Sequence, residues 1–233
     1  MKLSRILFLS IVVSALLIPT APPFVFASSP ADSIGMVNDE CTGEAIGPDL
    51  FMTASHCTGN LGGTVDFYIR EGVAKREYVG INVWDSYYIP RSNLLREGLD
   101  LCLVRVVKGG TFKHWLSFNP SIPKPNTYGI NISMSLGLEY WVRTVGIEGM
   151  YHDSQFGWVI VYRGDMYPGA SGSVVLQDGK IVGILTHGVF TSELFVGATA
   201  GRILQAVRDY RWNGDMVIVL ENDVFHIERV PHP

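Results

Sequence analysis

Cysteine is scarce in this chain: Cys41, Cys57 and Cys102 are the three in 233 residues. No two stand at C-x-x-C spacing, so the thiols form no zinc cage and no structural metal is expected. Charge is sparse as well. Lys, Arg, Asp and Glu make up 17% of the residues, and the formal net charge is -4. With no basic run, nothing in the composition favours nucleic acid as a partner. The chain also lacks internal repeats and low-complexity tracts. Past the N-terminus it has no apolar stretch near the roughly 20 residues that a spanning helix needs.

The N-terminus has a distinct character. Lys2 and Arg5 precede an apolar run from Ile6 to Ile18, prolines follow at Pro19, Pro22 and Pro23, and the stretch ends in Val25-Phe26-Ala27. A charged start, a short apolar core and small residues before a break describe a signal peptide over 1–27, cleaved after Ala27. The mature protein is therefore expected to be soluble, secreted or extracytoplasmic, and not stably inserted in a membrane. Export means oxidising conditions, in which a cysteine pair closes and stays closed. Cys102 lies inside an apolar run and reads as a buried free thiol.

Most of what remains reads as strands. Ile34 to Asn38, Gly43 to Ile46 and Leu50 to Ala54 are short apolar-rich runs split by turn residues such as Gly47-Pro48-Asp49. Thr64 to Arg70 alternates, Arg76 to Trp84 is β-branched and aromatic, and Asp100 opens the apolar run to Val106. Short strands with glycine-rich turns indicate an all-β sandwich or barrel and not alternating βαβ units. Asn119 to Asn126 holds Pro120, Pro123 and Pro125, which a sheet interior does not accommodate. The plan is an N-terminal β unit over 28–118, a proline-rich linker over 119–127, a C-terminal β unit with a helix over 128–211, and a tail over 212–233.

In the second unit strands are expected at Tyr128 to Met134, Leu138 to Ile147 and Gly157 to Tyr162. Val174 to Leu176 and Ile181 to Leu185 form a hairpin around Gln177-Asp178-Gly179-Lys180. Thr199 to Tyr210 carries Ile203, Leu204 and Val207 on one helical face. The tail reads as a last hairpin, Met216 to Glu221 and Val224 to Glu228 around Asn222-Asp223, packed across the outside of the second unit.

The chemistry concentrates in three places. Tyr167-Pro168-Gly169-Ala170-Ser171-Gly172-Ser173 sets a serine between glycines, which let the backbone bend and bring N–H groups near whatever the hydroxyl attacks. Read alone, it is equally a serine-bearing loop ahead of an ordinary hairpin. Upstream, Thr53-Ala54-Ser55-His56-Cys57 ends a strand with a histidine, and Asp100 begins one after the polar Arg96-Glu97-Gly98. A serine hydroxyl is a weak nucleophile near neutral pH, so it needs a base such as histidine. A carboxylate on the other ring nitrogen then fixes the tautomer. The order along the chain is His, Asp, Ser.

With these pieces the chain resembles the chymotrypsin-like (trypsin-fold) serine peptidases over about Ile34 to Gln205. Their T-A-x-H-C, D-[IL]-[AC]-L and G-x-S-G-[GS] stand here as Thr53 to Cys57, Asp100-Leu101-Cys102-Leu103 and Gly169 to Ser173. The resemblance implies two six-stranded antiparallel β-barrels with the active site between them. It implies Ser171 as nucleophile, His56 as base and then acid, Asp100 as the carboxylate orienting His56, and the N–H groups of Gly169 and Ser171 as oxyanion hole. It also implies a Cys41–Cys57 disulfide, a polypeptide substrate, and hydrolysis without cofactor. The alternative is a catalytically inactive trypsin-fold protein acting as a protein-binding module.

The sequence departs from the digestive and clotting members at Ala170, where they carry an aspartate that pairs with a newly cut N-terminus. It is closer to the simpler bacterial-type members, including glutamyl endopeptidases and high-temperature-requirement proteases. For the specificity pocket the resemblance offers Asp165, Thr186, His187 and Gly188. Asp165 lies six residues before Ser171, where trypsin-like members place the aspartate that selects Lys or Arg, but the cysteine that fixes this loop in those enzymes is missing, which favours a solvated turn residue. His187 lies on the strand where glutamate-preferring members hold a histidine, in a different register, and is otherwise a pocket-wall or surface residue. The preferred substrate residue stays open between them.

Overall fold

The structure, a computed structural model, describes residues 29–71, 74–87, 99–135, 139–153, 157–189, 193–207, 211–212, 216–221 and 224–229. The signal-peptide reading, Arg96 to Gly98, Asn222-Asp223 and the end of the expected helix lie outside them.

Six strands make the first barrel: β1 (Ile34–Val37), β2 (Cys41–Ala45), β3 (Leu50–Thr53), β4 (Thr64–Glu71), β5 (Ala74–Asp85) and β6 (Cys102–Lys108). They pair antiparallel in the order β1-β2-β3-β6-β5-β4, and β1 closes the barrel on β4. The β1–β2 turn uses Asn38 and Asp39 at φ 50 and 58, a left-handed geometry that short polar side chains tolerate. Strand β3 shows why its sequence is a continuous apolar run. Phe51 faces an aromatic core with Phe67 and Phe112, while Leu50 and Met52 on the other face enter a core shared with the second half of the chain. A strand buried on both faces has no polar alternation to show.

The second unit holds β7 (Thr127–Ser135), β8 (Glu139–Asp153), β9 (Gly157–Arg163), β10 (Val174–Gln177), β11 (Lys180–Ile184), β12 (His187–Val189) and β13 (Leu194–Gly197). Their order is β11-β10-β7-β8-β9-β13-β12. The two ends of that order meet. Ile184 N–H donates to Ala198 O at 3.0 Å and Thr186 N–H to Val196 O at 3.0 Å, so the run 180–189 joins β10 on one side and β13 on the other. Strands β11 and β12 are thus halves of one run interrupted at Leu185-Thr186, which restores the six-strand plan. The β10–β11 hairpin turns on Asp178 and Gly179, at φ 50 and 75, as an Asp-Gly pair favours.

Helix α1 (Ala200–Val207) buries Ile203, Leu204 and Val207, and Thr199 Oγ1 caps it by accepting from Arg202 N–H at 3.3 Å. Three short strands, β14 (Arg211–Trp212), β15 (Met216–Glu221) and β16 (Val224–Arg229), form the tail. Its expected place across the second barrel is corrected. Phe225 packs edge-on against Phe118 at 5.3 Å, and its carbonyl lies where a Cβ on Gly47 would fall. The tail therefore leans on the first barrel near β3 and on the segment leading out of it. The reason is chemical, since Phe225 and Ile218 supply apolar surface to the shared core. Among the described residues no helix is long and apolar enough to cross a membrane.

Candidate active site

His56 sits in a short 3-10 turn, Ser55–Cys57, directly after β3. A turn at the strand end carries the imidazole out of the barrel wall, where its side chain is 37% exposed. Asp100 reaches it from the approach to β6, which starts at Cys102, two residues later than expected. Asp100 takes a left-handed backbone, φ 42, a conformation that costs an L-residue about 1–2 kcal/mol. That bend directs three acceptor oxygens at one turn. Asp100 O accepts from Ser55 N–H at 3.1 Å, Oδ1 from His56 N–H at 3.1 Å, and Oδ2 lies 2.7 Å from His56 Nδ1.

The electrostatics follow from this contact. The hydrogen bond to Asp100 raises His56 above its ordinary value; burial opposes the shift and the carboxylate charge reinforces it. Burial alone would raise Asp100, but the His56 hydrogen bond, the His56 and His187 charges and the His56 amide together hold it below the usual carboxylate range. The pair is a carboxylate beside an imidazole that takes up a proton readily.

Ser171 arrives from the second barrel on a turn tied down on both sides. Thr42 N–H on β2 donates to Ser171 O at 2.9 Å, and Thr42 Oγ1 donates to Gly169 O at 2.6 Å while accepting from Met134 N–H at 2.9 Å. Gly172 N–H donates to Leu185 O at 2.7 Å. Gly172 is required by space as well as by φ 84, since a Cβ there would lie 2.1 Å from Thr42 O and 2.9 Å from Ala54 N. The serine turn thus presses against the backbone just ahead of His56. Ser171 Oγ donates to Thr186 O at 3.4 Å, and among the described residues no hydrogen bond joins it to His56. Neither the Gly169 nor the Ser171 amide donates to a described backbone acceptor.

The specificity candidates separate. Asp165 is exposed on the loop before the serine turn, and Met166 beside it enters the second barrel's core. Thr186 is buried, and Gly188 is exposed with the Phe195 ring against it. His187 turns toward the dyad. Its Nδ1 lies 3.5 Å from Asp100 Oδ2 and 3.1 Å from Thr186 Oγ1, and its ring centroid is 5.4 Å from that of His56. Burial lowers His187, the Asp100 charge opposes that, and the His56 charge adds to it.

A buried polar layer behind the dyad was not foreseen. Ser55 Oγ lies 2.8 Å from Asp85 Oδ1, 3.0 Å from Ser86 Oγ and 2.6 Å from Leu101 O, and Asn82 Nδ2 donates to Asp85 Oδ2 at 2.8 Å. Ser86 Oγ accepts from Leu101 N–H at 2.9 Å, so this layer grips both segments that carry the dyad. Cys41 and Cys57 form a disulfide beside His56, and Cys102 is free and buried.

No family model matches the chain, and no curated protein matches it. Solved structures do. The active form of the Rv3671c protease from M. tuberculosis aligns at TM-score 0.58 and 18% identity, over 76% of this chain and 79% of that one. The MamO protease domain from Magnetospirillum magneticum aligns at TM-score 0.62 and 15% identity, over 79% of this chain and all of that one (100%). A Glu endopeptidase in complex with MPD aligns at TM-score 0.56 and 20% identity, over 77% and 92%. At these identities the likeness speaks to the fold: the chain has the chymotrypsin-like fold of the trypsin-like serine proteases.

Proposed function

We propose that the chain is an exported serine endopeptidase that cuts peptide bonds through Ser171, His56 and Asp100. The observation that carries this reading is the His56–Asp100 dyad, fixed by three hydrogen bonds beside the serine turn on a protease fold. Asp100 holds Nδ1–H of His56 and leaves Nε2 as the basic nitrogen. The hydrogen bond from Ser171 to Thr186 O is long, so rotation about the serine Cα–Cβ bond toward His56 gives up little. Ser171 Oγ then attacks the carbonyl carbon as its proton passes to His56 Nε2. The amides of Gly169 and Ser171 receive the oxyanion, a role in which one donor is worth about 10² to 10³ in rate. Collapse expels the amine, which takes the proton from His56. Water, deprotonated by the same nitrogen, resolves the acyl-enzyme and returns Ser171.

The disulfide fits an oxidising, extracytoplasmic setting, as does the signal-like start. A second reading, a binding module that does not cut, draws on one observation, the hydrogen bond of Ser171 Oγ to Thr186 O in place of one to His56 among the described residues. Peptide-library hydrolysis separates the two. The protease reading expects cleavage by the wild type that Ser171→Ala abolishes, and cleavage untouched by that substitution, or none by folded wild type, rejects it. The same library decides whether Asp165 or His187 selects the substrate residue.

A further inference from the structure

Linear spacing gives the histidines of this chain no metal-ligand motif, yet folding assembles one from three distant segments. A donor atom from each of His56, Asp100 and His187 lies within 4.8 Å of the other two. We propose that these three side chains form a binding site for an imidazole-seeking divalent transition-metal ion of the zinc type, and that occupation switches the centre off. Binding rests on geometry alone; only the switching rests on the protease reading above.

The donor set suits such an ion, since neutral imidazole and carboxylate are among the standard ligands of zinc. With bonds near 2.1 Å, tetrahedral donors stand about 3.4 Å apart. His187 Nδ1 and Asp100 Oδ2 already stand at 3.5 Å. His56 Nδ1, at 2.7 Å from the same oxygen, has to withdraw by about 0.7 Å, which a small rotation of a partly exposed ring supplies. Asp100, 1% exposed and fixed through its backbone and Oδ1, is the stationary ligand. Water completes the fourth position. The second imidazole comes from the Thr186-His187 step, which sets its ring 5.4 Å from the first.

The consequence for His56 is a matter of one proton. Ligation uses the Nδ1 lone pair of each imidazole, so the proton that each Nδ1 carried, toward Asp100 for His56 and toward Thr186 Oγ1 for His187, moves through solvent to the Nε2 of the same ring, and no net proton is released from neutral rings. Nε2 of His56 then bears hydrogen and cannot accept the Ser171 proton. The ion enforces the inactive tautomer while leaving the serine untouched.

The test is calorimetric titration of Zn²⁺ alone into the purified chain without reductant. Reductant is excluded because opened Cys41 and Cys57 would join His56 as a rival donor set. One ion per chain is expected, with binding retained in Ser171→Ala and weakened in His187→Asn by more than the roughly 10–100-fold that loss of a mere outer-shell partner costs. Imidazole NMR of unsubstituted protein provides a readout independent of variant folding, and added Zn²⁺ should shift His56 and His187 together. Binding that persists in folded His187→Asn, shifts confined to histidines other than His56 and His187, or no binding at all overturns the proposal. Metal-free wild type that hydrolyses peptide but binds no zinc would sink this inference and spare the protease reading; zinc binding by a chain that does not hydrolyse when metal-free does the reverse, and hydrolysis unchanged at saturating zinc overturns the switch.

Discussion

Asp100 concentrates the argument at the scale of single residues, because its strained backbone is what lets one side chain and one carbonyl hold the whole Ser55-His56 turn. Replacing it by asparagine keeps the shape and removes the charge. In such dyads that change costs about 10⁴ in turnover, and Asp100→Asn is expected to show a loss of that size in a peptide assay. The pH profile carries a second signature. Under the proposed mechanism activity needs neutral His56, so it should rise through a value above the ordinary 6.5, and that midpoint should move down in Asp100→Asn as the raising contact is lost. Stability runs the other way. The raised His56 contributes stability that is present below about pH 6.5 and disappears as pH climbs through the raised folded value, while the share of the lowered Asp100 is present above the ordinary carboxylate value and is lost as pH falls through the lowered one. Glu44 is a separate case. It is wholly buried between cross-strand neighbours Ile34 and Met52, neither carboxyl oxygen has a described partner, and burial raises it well above the usual carboxylate range. The fold therefore favours its neutral form, a contribution complete below the unfolded value and lost as pH rises through the folded one. Glu44→Gln should melt higher than wild type at pH 9, with the gap closing at pH 5. An unchanged gap across that range would show that Glu44 does not titrate as described.

Among elements, the serine turn depends on Gly172 in two independent ways, its left-handed φ and the missing Cβ against Thr42 O. The backbone alone predicts that Gly172→Ala loses at least about 1–2 kcal/mol in denaturant unfolding, before the clash is counted. Stability within error of wild type would mean that the turn is held differently. The sequence made this turn visible because glycines bracket the serine. Other elements were visible in part. Strand β8 was expected to stop at Ile147 but continues to Asp153 through an irregularity between Ile147 and Gly149, where Gly149 adopts φ 138. An extra residue shifts the alternation by one, so a strand that carries on past it reads as one that has ended. His56, Asp100 and Ser171 could be picked out because each lies in a local motif. The approach of His187 to Asp100, and of Ser55 to Asp85, could not. Those are contacts between segments far apart in sequence, and nothing near either residue records its partner.

At the scale of the molecule, two barrels meet across one shared core, to which α1 and the tail also contribute. The disulfide joins β2 to the residue after His56 with a sequence separation of 16, so it fixes the His56 turn of the first barrel to its own wall. A loop of that size predicts a loss of about 3 kcal/mol when both cysteines become serine. The measurement is urea unfolding of the double variant, and a midpoint equal to wild type would contradict it. The central claim is an activated serine at the junction of the barrels, and the most direct measurement is covalent. A fluorophosphonate reacts with a serine whose proton is being removed, and mass spectrometry locates the adduct. Labelling at Ser171 in wild type, absent from folded Ser171→Ala and His56→Ala, is the predicted result. Folded wild type that takes no label, or label that survives in His56→Ala, would contradict the account.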